Sequence, residues 1–157
     1  MNPPTLAPTP TVFIASDHAA VSLKAALQKL IPEAHWSDIG PHDTHSVDYP
    51  DYAEKLCAQI RTTPGSMGIL ICGSGIGMSI AANKIAGIRA ALVENPVSAR
   101  LAREHNDANV LCLGARFLAA EYAAEIAQVF LKTPASKDPR HGARVEKLKR
   151  LDQIRTP

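Results

Sequence analysis

The chain has 157 residues, 46% hydrophobic and 20% charged, which fits one compact globular unit and excludes wholesale disorder. A formal net charge of +2 and an aromatic share of 4% argue against a nucleic-acid binder, which needs a basic surface or stacking platforms. The three cysteines, Cys57, Cys72 and Cys112, are odd in number and widely spaced, so neither a disulfide framework nor a zinc knuckle is expected, and free thiols suit a reducing, cytoplasmic setting.

Residues 1–11 carry four prolines and no Lys or Arg. They lack the basic start and apolar middle of a signal peptide and read as a flexible Pro-rich tail, with a single domain from 12 to 157. No apolar run reaches the ~18–20 residues of a membrane helix.

Val12–Ala15 is the first predicted strand, followed by a helix from Ala19 to Leu30 that Pro32 stops. Ala34–Ile39 is a weaker strand, closed by Gly40-Pro41. After a polar loop, Asp48–Ile60 reads as helix, with Tyr52, Leu56 and Ile60 on one stripe. Met67–Cys72 is continuously apolar, as a strand buried on both faces should be. A tight turn, Gly73-Ser74-Gly75-Ile76-Gly77, leads into a helix over Met78–Ile85. Ile88–Val93 is the fourth strand, and Pro96 opens a helix to about Glu104. Val110–Leu113 is the fifth strand, 119–131 the fifth helix, and 142–154 a final helix rich in Lys and Arg.

Strands alternating with helices mean repeated βαβ units with right-handed crossovers. The expected fold is a Rossmann-like three-layer α/β/α sandwich, with a five-stranded parallel sheet and an extra C-terminal helix that could pack on a partner subunit. Ligands in such sheets bind beyond the carboxyl ends of the strands. Those ends carry Asp17-His18, Cys72 with the glycine turn, Glu94-Asn95 and Gly114-Ala115-Arg116, while the loop entering the fifth strand carries His105-Asn106-Asp107.

The glycine turn is the sharpest local signal. Alternate glycines allow positive φ and present successive amides to an anion, a phosphate or a developing oxyanion. The alternative is a connector without a ligand. A dinucleotide fingerprint fits less well, because position 78 is Met78 and the turn follows the third strand. Cys72 opens the turn, where a thiol suits a general base or nucleophile, although a lone Cys is commonly a small buried hydrophobe. Asp17 could cap the next helix instead of acting as an acid or base. Arg140 and Arg144, four residues apart, share a helix face and suit phosphate, as does Arg116. Lys147, Lys149 and Arg150 read as a solvated face. No His/Cys/Asp cluster has metal-ligand spacing.

Several segments together resemble the ribose 5-phosphate isomerase B family, which includes galactose 6-phosphate isomerase subunits. They are Ala15-Ser16-Asp17-His18-Ala19, Asp48-Tyr49-Pro50, the run Gly68 to Gly77, Ala81-Ala82-Asn83-Lys84, Gly87-Ile88-Arg89-Ala90, His105 to Val110, Gly114-Ala115-Arg116 and Arg140-His141. The ordered set is specific and spans residues 12 to about 150. The resemblance implies interconversion of ribose 5-phosphate and ribulose 5-phosphate in the pentose phosphate pathway, with no metal or cofactor. A 6-phosphohexose isomerase and a non-catalytic phosphate or nucleotide sensor are the rivals. It also implies a homodimer or tetramer with sites shared between subunits.

Residue by residue, the resemblance makes Cys72 the base. Relatives that use a carboxylate after the turn differ, since Met78 and its neighbours offer none. Asp17 and His105 match residues for ring opening, and Ser74 with the amides of Gly73, Gly75, Ile76 and Gly77 matches the enediolate hole. His18, Arg116, Arg140 and Arg144 match the phosphate set, and Tyr49 and Asn106 match sugar contacts. Ser74 keeps the hydroxyl of the Thr found in many relatives.

Overall fold

The computed structural model describes residues 10–154; the Pro-rich tail, apart from Pro10 and Thr11, lies outside them. Five strands, β1 (Thr11–Ser16), β2 (His35–Gly40), β3 (Met67–Cys72), β4 (Ala90–Leu92) and β5 (Val110–Gly114), form one sheet in the order β2-β1-β3-β5-β4. Every pairing is parallel. The helices are α1 (Val21–Leu30), α2 (Tyr49–Thr62), α3 (Ile76–Ala82), α4 (Pro96–Asn106), α5 (Ala120–Lys132) and α6 (Pro139–Ile154). This is the three-layer α/β/α architecture that the alternating pattern predicts.

Side-chain alternation builds the layers. Along β3, Met67, Ile69 and Ile71 join the apolar cluster with Leu23 and Leu27 of α1, Ala99 of α4 and Ile126 of α5. Leu70 and Cys72 point the other way, into the cluster with Leu56 and Cys57 of α2 and Met78 of α3. All six residues of β3 are buried, as its unbroken apolar character requires. Gly68 lies under α2, where an added Cβ would sit 2.6 Å from the Leu56 side chain.

Some element ends differ from the sequence reading. Asp17 caps a 3-10 turn over His18–Ala20, so α1 proper starts at Val21. The helix after the glycine turn starts at Ile76 rather than Met78 and ends at Ala82 rather than Ile85. The last helix starts at Pro139, ahead of Gly142, because proline is well placed at a helix start. β4 shrinks to three residues at the sheet edge. There Asn83 stands in for a strand neighbour: its side chain accepts from the Ala90 N–H at 2.9 Å and donates to the Ala90 carbonyl at 2.8 Å. Among the described residues, no helix is long and apolar enough to cross a membrane.

The sheet order matters for the site. From β1 the chain moves outward to β2, then back across to β3. The strand order therefore reverses between β1 and β3, and the crevice beyond their carboxyl ends is the expected ligand position.

Candidate active site

Asp17 and Cys72 stand side by side at this reversal. Ser16 pairs with Ile71, and the Asp17 N–H donates to the Ile71 carbonyl at 3.0 Å. The next pair of positions is therefore Asp17 and Cys72, about 5 Å apart across the strands. Asp17 is 8% exposed, and its carboxylate accepts the Ala19 N–H at 3.0 Å. It is thus a cap, as one sequence reading allowed, and it also borders the crevice.

Cys72 is 5% exposed, and its sulfur faces the turn that follows rather than the core alone: the Gly75 N–H donates to Sγ at 3.1 Å. Gly75 has φ +76, and a Cβ there would fall 2.6 Å from Leu92 Cδ1 and 2.8 Å from the Leu113 carbonyl carbon. Only glycine fits a left-handed position this crowded. The Ile76 N–H reaches Ser74 Oγ at 3.3 Å. Two amides of the turn therefore already have partners inside it.

Two further side chains border the turn. The Arg116 guanidinium lies against Gly73, where a Cβ would be 2.9 Å from Cζ. Arg116 is placed by its own backbone, since its N–H donates to the Gly73 carbonyl at 3.0 Å and the Ala115 N–H donates to the Cys72 carbonyl at 2.9 Å. The Tyr49 ring covers Gly77, with Cζ 2.6 Å from a Cβ position there. Tyr49 opens α2, and just before it Val47 is tied to His18, whose Nδ1 lies 3.2 Å from both the Val47 nitrogen and oxygen. Asp17, His18, Tyr49, Cys72, the residues Gly73 to Gly77 and Arg116 thus gather at one edge of the sheet.

The remaining candidates gather elsewhere. α4 starts at the carboxyl edge and runs back, so His105 and Asn106 lie near the amino end of β5. Val110 pairs with Gly68 and Gly114 with Cys72, which separates the two levels by about 13 Å. Here the His105 and His141 rings stack with centroids 4.2 Å apart and an interplanar angle of 9°. Asn106 lines a cleft of about 410 Å³ between α4, β4 and α6. Arg140 and Arg144 lie exposed on the first turns of α6, with Arg140 3.5 Å from Asp138. One chain does not unite the two groups.

Sequence reasoning missed the clamp behind His105. Asp107 takes a left-handed conformation, φ 44, that ends α4. Its two carboxylate oxygens meet Arg89 at 3.0 Å and Arg103 at 2.9 Å. The signal was present in the His105-Asn106-Asp107 run, but nothing in spacing says which Arg residues face it. Cys57 and Cys112 are fully buried core residues, as expected. Burial pushes the Cys57 thiol up to about 12. It raises Cys112 well above the ordinary value, with Cys57 and Cys72 adding to the effect.

The sequence profile of the Ribose/Galactose Isomerase family matches residues 12–148. The fold is similar to a Leishmania infantum type B ribose 5-phosphate isomerase, with TM-score 0.89 and 41% identity, covering 93% of this chain and 98% of that one. It is similar to the Trypanosoma brucei type B enzyme, with TM-score 0.86 and 44% identity over 91% and 99% of the two chains. It is also similar to a Thermotoga maritima ribose 5-phosphate isomerase, with TM-score 0.85 and 46% identity over 89% and 97%. With the profile covering most of its length, the chain belongs to the ribose/galactose isomerase family.

Proposed function

We propose that this protein interconverts ribose 5-phosphate and ribulose 5-phosphate by ring opening and proton transfer through an enediolate. The observation that carries the reading is the Cys72 sulfur held at a turn of backbone amides beside Asp17, at the point where the strand order reverses. Relatives named as type B ribose 5-phosphate isomerases supply the substrate.

Ring opening needs a proton taken from the anomeric hydroxyl and one delivered to the ring oxygen. Asp17 and His105 are assigned to that exchange. Cys72 then takes the C2 proton, the C2–H electrons form the C1–C2 double bond, and the carbonyl oxygen becomes an oxyanion. The amides of Gly73, Ser74 and Gly77, with the Ser74 hydroxyl, are assigned to that oxygen. The amides of Gly75 and Ile76 act at one remove, holding the sulfur and the hydroxyl. Fixed donors stabilise the developing charge without reorganising. Returning the proton to C1, as the O2–H proton moves to O1, yields the ketose. His18, Arg116, Arg140 and Arg144 are assigned to the phosphate, and Tyr49 and Asn106 to the sugar.

The division into two groups at opposite levels of the sheet supports a homodimer or a dimer of dimers. In that assembly, His105, Asn106, Arg140 and Arg144 of one subunit complete the edge that carries Cys72 in another. The place of the reaction would be the pentose phosphate pathway, in the cytoplasm. The test is incubation with ribose 5-phosphate and measurement of ketose formed. Allose 6-phosphate and galactose 6-phosphate run in parallel. Faster turnover of a hexose phosphate would overturn the substrate, and no turnover of any would overturn the enzyme reading.

A further inference from the structure

Residues 41–48 link β2 to α2, and this strap has two anchors. At its start is Lys24, 2% exposed on the inner side of α1. Its Nζ donates to Asp38 Oδ1 at 2.6 Å and to the Pro41 carbonyl at 2.7 Å. The same Asp38 oxygen accepts the Gly40 N–H at 2.8 Å. At the far end of the strap is the His18 ring, against Val47. Between the anchors, residues 42–46 are exposed. Two residues past Val47, the Tyr49 ring covers Gly77.

A buried ammonium is costly unless its donors are satisfied, and an apolar residue at this position would pack α1 without that cost. What lysine adds is more than one donor at a single point. It joins the end of β2 to the first carbonyl of the strap, which no apolar side chain can do. Without that tie, the start of the strap would rest on buried Pro41 and on the 3.9 Å approach of exposed His42 to Asp38, leaving residues 42–46 freer to shift.

We propose that Lys24 is a positioning residue for the substrate site: it fixes the start of the strap and thereby sets Tyr49 over the glycine turn. The proposal rests on the sugar-phosphate reading above. Lys24 touches no reacting atom, so its loss acts on substrate binding rather than on proton transfer.

The test is the pair Lys24→Met/Asp38→Asn, which removes both charges and keeps an oxygen for the Gly40 N–H. The expected KM for ribose 5-phosphate rises about tenfold or more, with kcat within about threefold of wild type. Amide hydrogen exchange quickens across residues 42–48, while β1 and β3 keep their protection. In a Tyr49→Ala background, the same pair changes KM little, because the group being placed is gone. Unchanged KM in the folded pair overturns the proposal, and so does an equal rise with and without Tyr49, or unaltered exchange in the strap. If the pair does not fold, the neutral and shorter Lys24→Gln carries the same comparison. The exchange measurement needs no turnover: a wild-type protein inactive on ribose 5-phosphate defeats the sugar-phosphate reading, while exchange still decides whether Lys24 holds the strap.

Discussion

The Gly75 N–H donates to the Cys72 sulfur at 3.1 Å, three residues back along the chain. Gly75 takes a positive φ, and the tight approach of Leu92 and Leu113 leaves no room for a side chain there. The sulfur and the turn are therefore one unit. A side chain at Gly75 would press on backbone and shift the N–H that holds the proposed base, whereas one at Gly73 would press on the end of the Arg116 side chain.

That difference predicts contrasting effects of two small substitutions. Gly75→Ala places a Cβ against backbone at positive φ, so it should cost about 2–4 kcal/mol of stability and abolish turnover. Gly73→Ala places its Cβ nearest the end of the Arg116 side chain, which can move. It should fold with near-normal stability and show a raised KM. Thermal unfolding and steady-state kinetics of the two variants check this. Equal loss of stability would contradict it.

Arg116 is exposed and lies against Gly73, where it can fork onto a phosphate. Arg116→Ala should raise KM for ribose 5-phosphate about 10- to 100-fold, the value of a charge-assisted hydrogen bond. Turnover of unphosphorylated ribose, however slow, should be unaffected. Equal loss on both substrates would remove Arg116 from the phosphate set.

Much of this arrangement was legible in the sequence. The unbroken run Met67–Cys72 marked the central strand, and the glycines after it marked the turn. What was hidden depends on neighbours distant in sequence. The strand order that puts Asp17 beside Cys72 follows from packing, not from any local pattern. β4 is shorter than its apolar run, and the Asn83 side chain takes the outer hydrogen bonds of its first residue, Ala90. Lys24 did leave a trace: it falls three residues before Leu27 and seven before Ile31, on the buried stripe of α1. A lysine on such a stripe signals a buried partner, but not that the partner is Asp38. Tyr49 lying over Gly77 could not be foreseen, since the strap's course sets it.

Cys57 gives a pH dependence of stability. Its thiol is held protonated up to about 12 in the folded protein, whereas an unfolded thiol ionises near 8.5. The folded state then binds the extra proton, so this stabilisation is complete below about pH 8.5 and is lost as pH rises toward 12. By pH 10 the loss should be about 1–2 kcal/mol. Cys57→Ala should be less stable at pH 7 but show a shallower decline between pH 8 and 10. Denaturant unfolding across that range measures both slopes, and parallel slopes would contradict the assignment.

The separation of His105 from Cys72 within one chain predicts complementation. Cys72→Ala and His105→Ala should each be nearly inactive. When the two are refolded together, mixed dimers would contain one site with both lesions and one with neither. Activity should recover to about a quarter of wild type for random pairing in a twofold dimer. No recovery, with mixed dimers present by mass spectrometry, would show that each site is built from one chain.

The most direct measurement is the turnover of ribose 5-phosphate by Cys72→Ala. Loss of the sulfur that takes and returns the C2 proton should lower kcat by about 10²- to 10⁴-fold while KM changes little. A kcat near that of wild type would mean that another group moves the proton.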